Sequence, residues 1–141
     1  MNGRYIGSWV LIISLAFVIV SVLFTNNLSR QLAEEEQKNV AIWAEATRQL
    51  ILADEDTDIN FVSSIIEKNT NIPVYITDAD GNILLSRNVK KPVDDPRTLY
   101  GPIQLRISED NVQYIFYDES NLLRQLRYVP YLQYLLIFIF I

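Results

Sequence analysis

Hydrophobic and polar positions divide this chain into three regimes. From Ile6 to Phe24 the run IGSWVLIISLAFVIVSVLF carries no charge, and its 19 residues at a helical rise of ~1.5 Å reach roughly 29 Å, about the thickness of a bilayer core. A secretory signal has an apolar region of ~7–15 residues followed by a small-residue cleavage site. Here Thr25-Asn26-Asn27 follows, so the pattern predicts an uncleaved membrane helix. Tyr128 to Ile141, YVPYLQYLLIFIFI, is apolar again, yet as a helix its 14 residues would cover only ~21 Å. It reads as the opening of a second membrane helix whose remainder lies beyond Ile141; a short tail packed on the domain is the alternative. The expected organisation is thus 1–26 as first span with a short N-terminal tail, 27–127 as a polar domain, and 128–141 as the start of a second span.

Inside the polar domain the periodicity changes several times. Asn27 to Leu52 contains no Gly or Pro and is rich in good helix formers. Leu28, Leu32, Val40, Trp43, Ala46 and Leu50 recur at spacings near three and four, predicting a long amphipathic helix that continues out of the membrane. A second helix is expected from Ile59 to Asn69, with Asp56 or Asp58 as its cap and Phe61, Val62, Ile65 and Ile66 as its buried stripe. Val74–Thr77 and Ile83–Ser86 are β-type runs on either side of Asp78-Ala79-Asp80-Gly81-Asn82, residues that tolerate a tight reversal; they predict a hairpin, expected at the centre of a sheet. Asn88 to Gly101, with two prolines, reads as a connector. Ile103–Ser108 and Val112–Tyr117 alternate as strands around Glu109-Asp110-Asn111. Ser120 or Asp118 then caps a short helix bearing Leu122, Leu123, Leu126 and Val129. Pro130 stands at its junction with the second span, and Tyr128, Tyr131 and Tyr134 suit the water–lipid boundary. The fold class is α+β, a small antiparallel sheet of about four strands covered by helices and flanked by two transmembrane helices.

Charge narrows the partners. Only Arg4 of the 12 Lys plus Arg lies outside 26–127, leaving 11 there against 17 Asp plus Glu, a net of −6. An acidic domain does not favour nucleic acid or anionic lipid. The chain has no Cys, which excludes disulfides, thiolate catalysis and Cys-based metal sites. Arg4 on the short N-terminal side favours a cytoplasmic N-terminus and a domain outside, although Arg30, Arg124 and Arg127 weigh the other way.

Metal chemistry finds little footing. Asp54, Asp56 and Asp58 match the first ligand spacing of a calcium loop, but Ile59 stands where Gly is needed and Ile65 where a bidentate Glu belongs. Glu34-Glu35-Glu36 points around a helix rather than converging, and reads as a solvated face. If a ligand pocket exists, it belongs where sheet meets helices; Tyr75, Thr77, Arg87, Arg106, Tyr114 and Tyr117 are its candidate residues. Arg87 or Arg106 could grip a carboxylate in two-pronged fashion, while the alternative leaves these arginines solvated and the tyrosines as packing.

Taken together, the first span, EEEQKNVAIWAEATRQL (Glu34–Leu50), IPVYITDADGNILLSRN (Ile72–Asn88) and ESNLLRQLRYVPYLQ (Glu119–Gln133) resemble the N-terminal input region of a bacterial two-component sensor histidine kinase with a PAS-like or Cache-like sensor domain. The resemblance implies a homodimer in the cytoplasmic membrane with 27–127 outside. A small molecule or envelope protein would act on the domain and change the packing of the spans, and with it a cytoplasmic kinase that uses ATP and Mg and hands on to a response regulator. The chain has no His and no Gly-rich nucleotide motif, so on this reading these residues are non-catalytic and the kinase lies elsewhere in the protein. Chemoreceptors and cyclic-dinucleotide synthases carry similar sensors, and a structural membrane protein that binds a partner is a third reading.

Overall fold

The computed structural model describes residues 3–140, with side chains from 7 to 139; positions 1–2 and 141, and the Arg4 side chain on which the expected orientation rests, lie outside this set. In chain order the elements are α1 (Gly3–Ile51), α2 (Ile59–Lys68), β1 (Val74–Thr77), β2 (Ile83–Arg87), a 3-10 turn (Pro96–Thr98), β3 (Tyr100–Arg106), β4 (Val112–Tyr117) and α3 (Asn121–Phe140). They form two compact units, one made of the residues up to Ala33 with those from Leu122 onward, the other of Glu34–Asn121.

In the first unit, α1 is, among the described residues, the one helix long and apolar enough to cross a membrane, and none of its apolar stretch is buried. Of the two expected spans, the length and apolarity criterion is met by one. The 20-residue α3 spends its first two turns on a segment that includes Arg124, Gln125 and Arg127. Pro130 sits inside α3. The two helices of this unit are joined by a polar contact, the Gln133 amide donating to the Ser21 hydroxyl oxygen at 2.6 Å, while the Thr25 hydroxyl turns back to the Ser21 carbonyl at 2.9 Å.

The second unit is built on one four-stranded antiparallel sheet in the order β2-β1-β4-β3. β1 and β4 are central: Val74 stands opposite both Arg87 and Tyr117, and Thr77 opposite both Ile83 and Tyr114. The expectation that the whole β1–β2 hairpin is central is corrected on this point, since β2 is an edge. The cause is visible in burial. All four residues of β1 are buried, whereas Ile83 to Ser86 are exposed.

Strand alternation sorts the sheet into two faces. Val74, Ile76, Ile103, Leu105, Ile115 and Tyr117 pack against Val40, Trp43 and Ala44 of α1, with Ile66 of α2 and Ile72. At about 1.5–3 kcal/mol for each large side chain fully buried, this apolar layer is the main favourable term holding the unit.

The helix stripes differ from the sequence pattern. On α1, Val40, Trp43 and Ala46 are buried as expected, but Leu28 and Leu50 are exposed, and Glu36 is only 4% exposed. The reading of Glu34–Glu36 as a solvated run is therefore corrected for Glu36, which lies one helical turn before Val40 on the packed face. On α2, Val62 is buried and Ile65 and Ile66 half-buried, while Phe61 is exposed. The N-terminus of α2 follows the capping rule: Asp58 accepts from the Phe61 N–H at 3.0 Å.

The β1–β2 turn is closed by Asp78. Its carboxylate accepts from the backbone N–H groups of Asp80 (3.0 Å) and Asn82 (2.8 Å) and from the Asn82 side chain (2.8 Å). Hydrogen bonding from the Asn82 side chain, and then from its backbone, holds the Asp78 carboxyl below its ordinary range. A depressed carboxylate stabilises the fold at neutral pH and loses that contribution as pH falls below about 4. Measured against the intrinsic rate at each pH, the protection of the Asp80 and Asn82 amides should accordingly fall on acidification in the native protein, and Asp78→Ala should show low protection already at neutral pH with no further loss in acid. Equal exchange in the two proteins at neutral pH would refute the assignment.

Candidate functional site

The sheet face turned away from the helices carries Tyr75 and Thr77 of β1, with Phe116 and Tyr114 opposite them on β4. The connector between β2 and β3 returns across this face. The Val93 N–H donates to the Tyr75 hydroxyl at 3.3 Å, and Pro96 is fully buried. Beside this roof lies an open hollow of about 190 Å³, lined by Thr77, Asp78, Ala79, Gly81, Arg97, Pro102, Tyr114 and Phe116.

Gly81 lines the hollow, and Gly101 precedes its Pro102. Gly81 adopts a φ of +91°, and a Cβ there would stand 3.2 Å from the Arg97 guanidinium carbon, so the guanidinium lies directly over this residue. Gly101, at φ +123°, would place a Cβ 2.7 Å from the Ile115 carbonyl oxygen, an approach only glycine permits. Arg97 is held by Asp95, Nε to Oδ1 at 2.9 Å and the terminal nitrogen to Oδ2 at 3.0 Å. This pairing holds the Asp95 carboxyl below its ordinary range. The hollow thus combines Phe116 and Pro102 as apolar wall, the Thr77 and Tyr114 hydroxyls, and one fixed cation at the mouth. It is smaller than the roughly 300–1,000 Å³ of drug-sized sites and suits a ligand of a few heavy atoms with a hydrogen-bond acceptor.

Of the six residues expected from sequence, Tyr75, Thr77 and Tyr114 share this face, and Thr77 and Tyr114 line the hollow. Arg106 is on the same side by register but at the far end of β3, opposite Val112, and exposed. Arg87 stands at the other end of β2, opposite Val74, and donates from Nε to the Asn69 carbonyl at 3.2 Å. Tyr117 faces the helices. Its ring stacks on Tyr100 at 5.6 Å between centroids, and burial, with smaller contributions from Tyr100 and Glu36, pushes its hydroxyl above the ordinary tyrosine range. Arg97 was missed by sequence reading because it sits in the connector; the run Asp95-Pro96-Arg97, an acid two residues before a base at a turn, was the available signal.

A second constellation joins the two ends of this unit. The buried Glu36 carboxylate of α1 accepts the Ser120 backbone N–H at 3.1 Å, and its other oxygen accepts the Ser120 hydroxyl. Next to it, the Tyr100 hydroxyl donates to Glu119 at 2.8 Å, and the Asp118 N–H donates to the Pro73 carbonyl at 3.0 Å. Ser120, completely buried, is the last residue before α3.

A buried carboxylate that loses a donor keeps its desolvation cost, so Ser120→Ala should destabilise the protein by about 1–3 kcal/mol, and Glu36→Ala by a similar amount. In chemical denaturation of the detergent-solubilised protein the two changes should be strongly non-additive, by about 0.5–3 kcal/mol. Strict additivity would show that the pair is not coupled. No protein-family model, curated protein or solved structure matches the chain, so its function has to be argued from its own residues.

Proposed function

We propose that the chain is the membrane-anchored input region of a two-component sensor histidine kinase, with 27–127 as an extracytoplasmic domain of PAS-like or Cache-like type in the bacterial cytoplasmic membrane. One observation carries the reading: the sheet rests on a helix that continues without a break into the apolar span, and the strand end leading into α3 is tied to that same helix through Glu36 and Ser120. A stiff helix moves as a body, so a change in the sheet is transmitted along α1. On this reading α3 belongs to the second span, and its Gln133–Ser21 contact is the interhelical hydrogen bond that polar side chains make inside membranes. The hollow beside Thr77 and Tyr114 takes the small-molecule signal or is reshaped by an envelope protein. ATP, Mg and the response regulator belong to the kinase part, which carries the histidine these residues lack.

The protein acts as a homodimer. Leu28, Glu35, Ile42 and Gln49 are exposed along α1 at successive seven-residue steps, the repeat of a left-handed helix pair. Single cysteines at these four positions should crosslink between copies in membranes, while cysteine at the buried Val40 or Trp43 should not. A uniform pattern across all six positions would count against this interface.

The decisive measurement is autophosphorylation of the full-length protein in nanodiscs. Glu36→Gln and Ser120→Ala should shift the basal rate severalfold in the same direction while ATP affinity stays unchanged. A full-length protein that incorporates no phosphate on histidine would refute the kinase reading.

A further inference from the structure

Two expectations of the helix pattern fail at one corner of the second unit. Leu50 closes the apolar stripe of α1 and Phe61 opens that of α2, yet they are 37% and 62% exposed. Leu52, the residue after α1, and Ile59, the first of α2, are exposed as well. Leu52 and Phe61 stand together: with Gln49 and the buried Val62 they line an open hollow of about 290 Å³ where the end of α1 meets the start of α2. Apolar groups that a helix stripe presents and its own domain leaves uncovered mark a surface that another molecule covers.

The loop that joins the two helices sets the charge of this surface. From Glu45 to Asp58 the chain has five carboxylates and one base, Arg48, a net of −4. That base, which also lines the hollow, is spent: Arg48 grips Glu45 with two nitrogens, at 3.0 and 2.7 Å. Asp54 accepts the Thr57 hydroxyl at 2.7 Å, and Asp58, on the wall of the hollow, caps α2; these bonds occupy acceptor sites and leave both charges in place. Glu55 and Asp56 are exposed, and among the described residues their side chains have no hydrogen-bond or ionic partner. Nor, among the described residues, do three carboxylates converge to hold a metal. An apolar hollow beside unbalanced carboxylates selects a ligand that is apolar and cationic at once.

We infer that this α1–α2 corner is the docking surface for a cationic segment of a separate polypeptide. The segment places a bulky apolar side chain in the hollow against Leu52, Phe61 and Val62, and lysine or arginine side chains against Glu55, Asp56 and Asp58. A second copy that met the corner through its own corner would bring two clusters of −4 face to face, which like charges oppose. A second copy that met it through its basic run, Lys90-Lys91, would make a head-to-tail contact that no two-fold dimer closes and that runs on into rings or filaments. The inference uses residues 45–62 of the second unit alone and does not rest on the kinase reading.

The test uses the full chain in phosphatidylcholine nanodiscs, with empty nanodiscs as the blank, and three synthetic hexapeptides. The first has two lysines, phenylalanine, leucine and two lysines; the second has serine in place of the two apolar residues; the third has glutamate in place of the lysines. The first should bind saturably, at least tenfold tighter than either of the others, and should slow amide exchange within 48–62. Phe61→Ser, at an exposed position, should weaken it at least tenfold. The double change Glu55→Lys with Asp56→Lys should weaken it by as much and strengthen the third peptide. Equal binding of the three peptides, undiminished binding of the first by either variant, or protection falling outside 48–62 overturns the proposal. Binding that is lost on chelating calcium also overturns it, because the carboxylates would then belong to a metal. So does concentration-dependent protection of 48–62 without peptide that Lys90→Glu with Lys91→Glu abolishes, which would assign the corner to a second copy. None of these outcomes depends on histidine phosphorylation, so the docking corner and the kinase reading stand or fall separately.

Discussion

The unit Glu34–Asn121 depends on one buried carboxylate. Taking an ion from water into a protein interior costs several kcal/mol even after relaxation, and Glu36 recovers this by accepting two hydrogen bonds from Ser120. The geometry is unforgiving. Sliding α1 by a single residue would displace Glu36 by ~1.5 Å along the axis and turn it by roughly 100°, which removes both bonds at once. Apolar packing against Val40, Trp43 and Ala44 tolerates adjustment in a way this pair does not. The entry and exit of the unit are thereby fixed to each other.

The two faces of the sheet divide the work. The helix face is a closed apolar layer, with Val74 and Ile115 fully buried. The other face is roofed by a connector whose contact with the strands includes the long bond from Val93 to Tyr75 and a hollow rimmed by Arg97. Segments with few buried apolar contacts open at lower free energy than the core. On the proposed reading a ligand would meet this second face, where Thr77 and Tyr114 line the hollow beside the connector.

What the sequence revealed and concealed follows from the range of each interaction. Local rules narrowed the cap of α2 to Asp56 or Asp58 and located the Asp78 turn and the alternation of Ile103 and Leu105, since each depends on residues a few positions apart. Glu36 was misread because its partner is 84 residues away, and a three-glutamate run reads as solvent-facing until the helix face is known. β2 was expected at the centre because hairpin signals reveal which strands are consecutive, while the pairing of β1 with β4 is long-range. Arg87 and Arg106 were plausible carboxylate ligands by type; one is spent on the Asn69 carbonyl, and the other lies at the far end of a hairpin. Four of the six candidate residues, Tyr75, Thr77, Tyr114 and Arg106, fall on one face because strand parity, which the sequence does display, determines the face.

The distance from hollow to carboxylate is short in chain terms. Thr77 faces Tyr114 across the β1–β4 ladder, and β4 ends at Tyr117, three residues before Ser120. Between them, Tyr117 stacks on Tyr100, whose hydroxyl reaches Glu119, and Asp118 is held by Pro73 at the start of β1. A ligand that spreads Thr77 from Tyr114 would strain β4 against β1, and a hydrogen-bonded ladder passes that strain along the strand rather than absorbing it. The first place where it can be relieved is the segment Asp118–Ser120, which has left the ladder and is held by individual hydrogen bonds. The buried Glu36 is the acceptor at the end of that segment. On the proposed reading, a pair intolerant of small displacements, placed where the displacement emerges, would convert a graded movement of the sheet into a bond that is either made or broken.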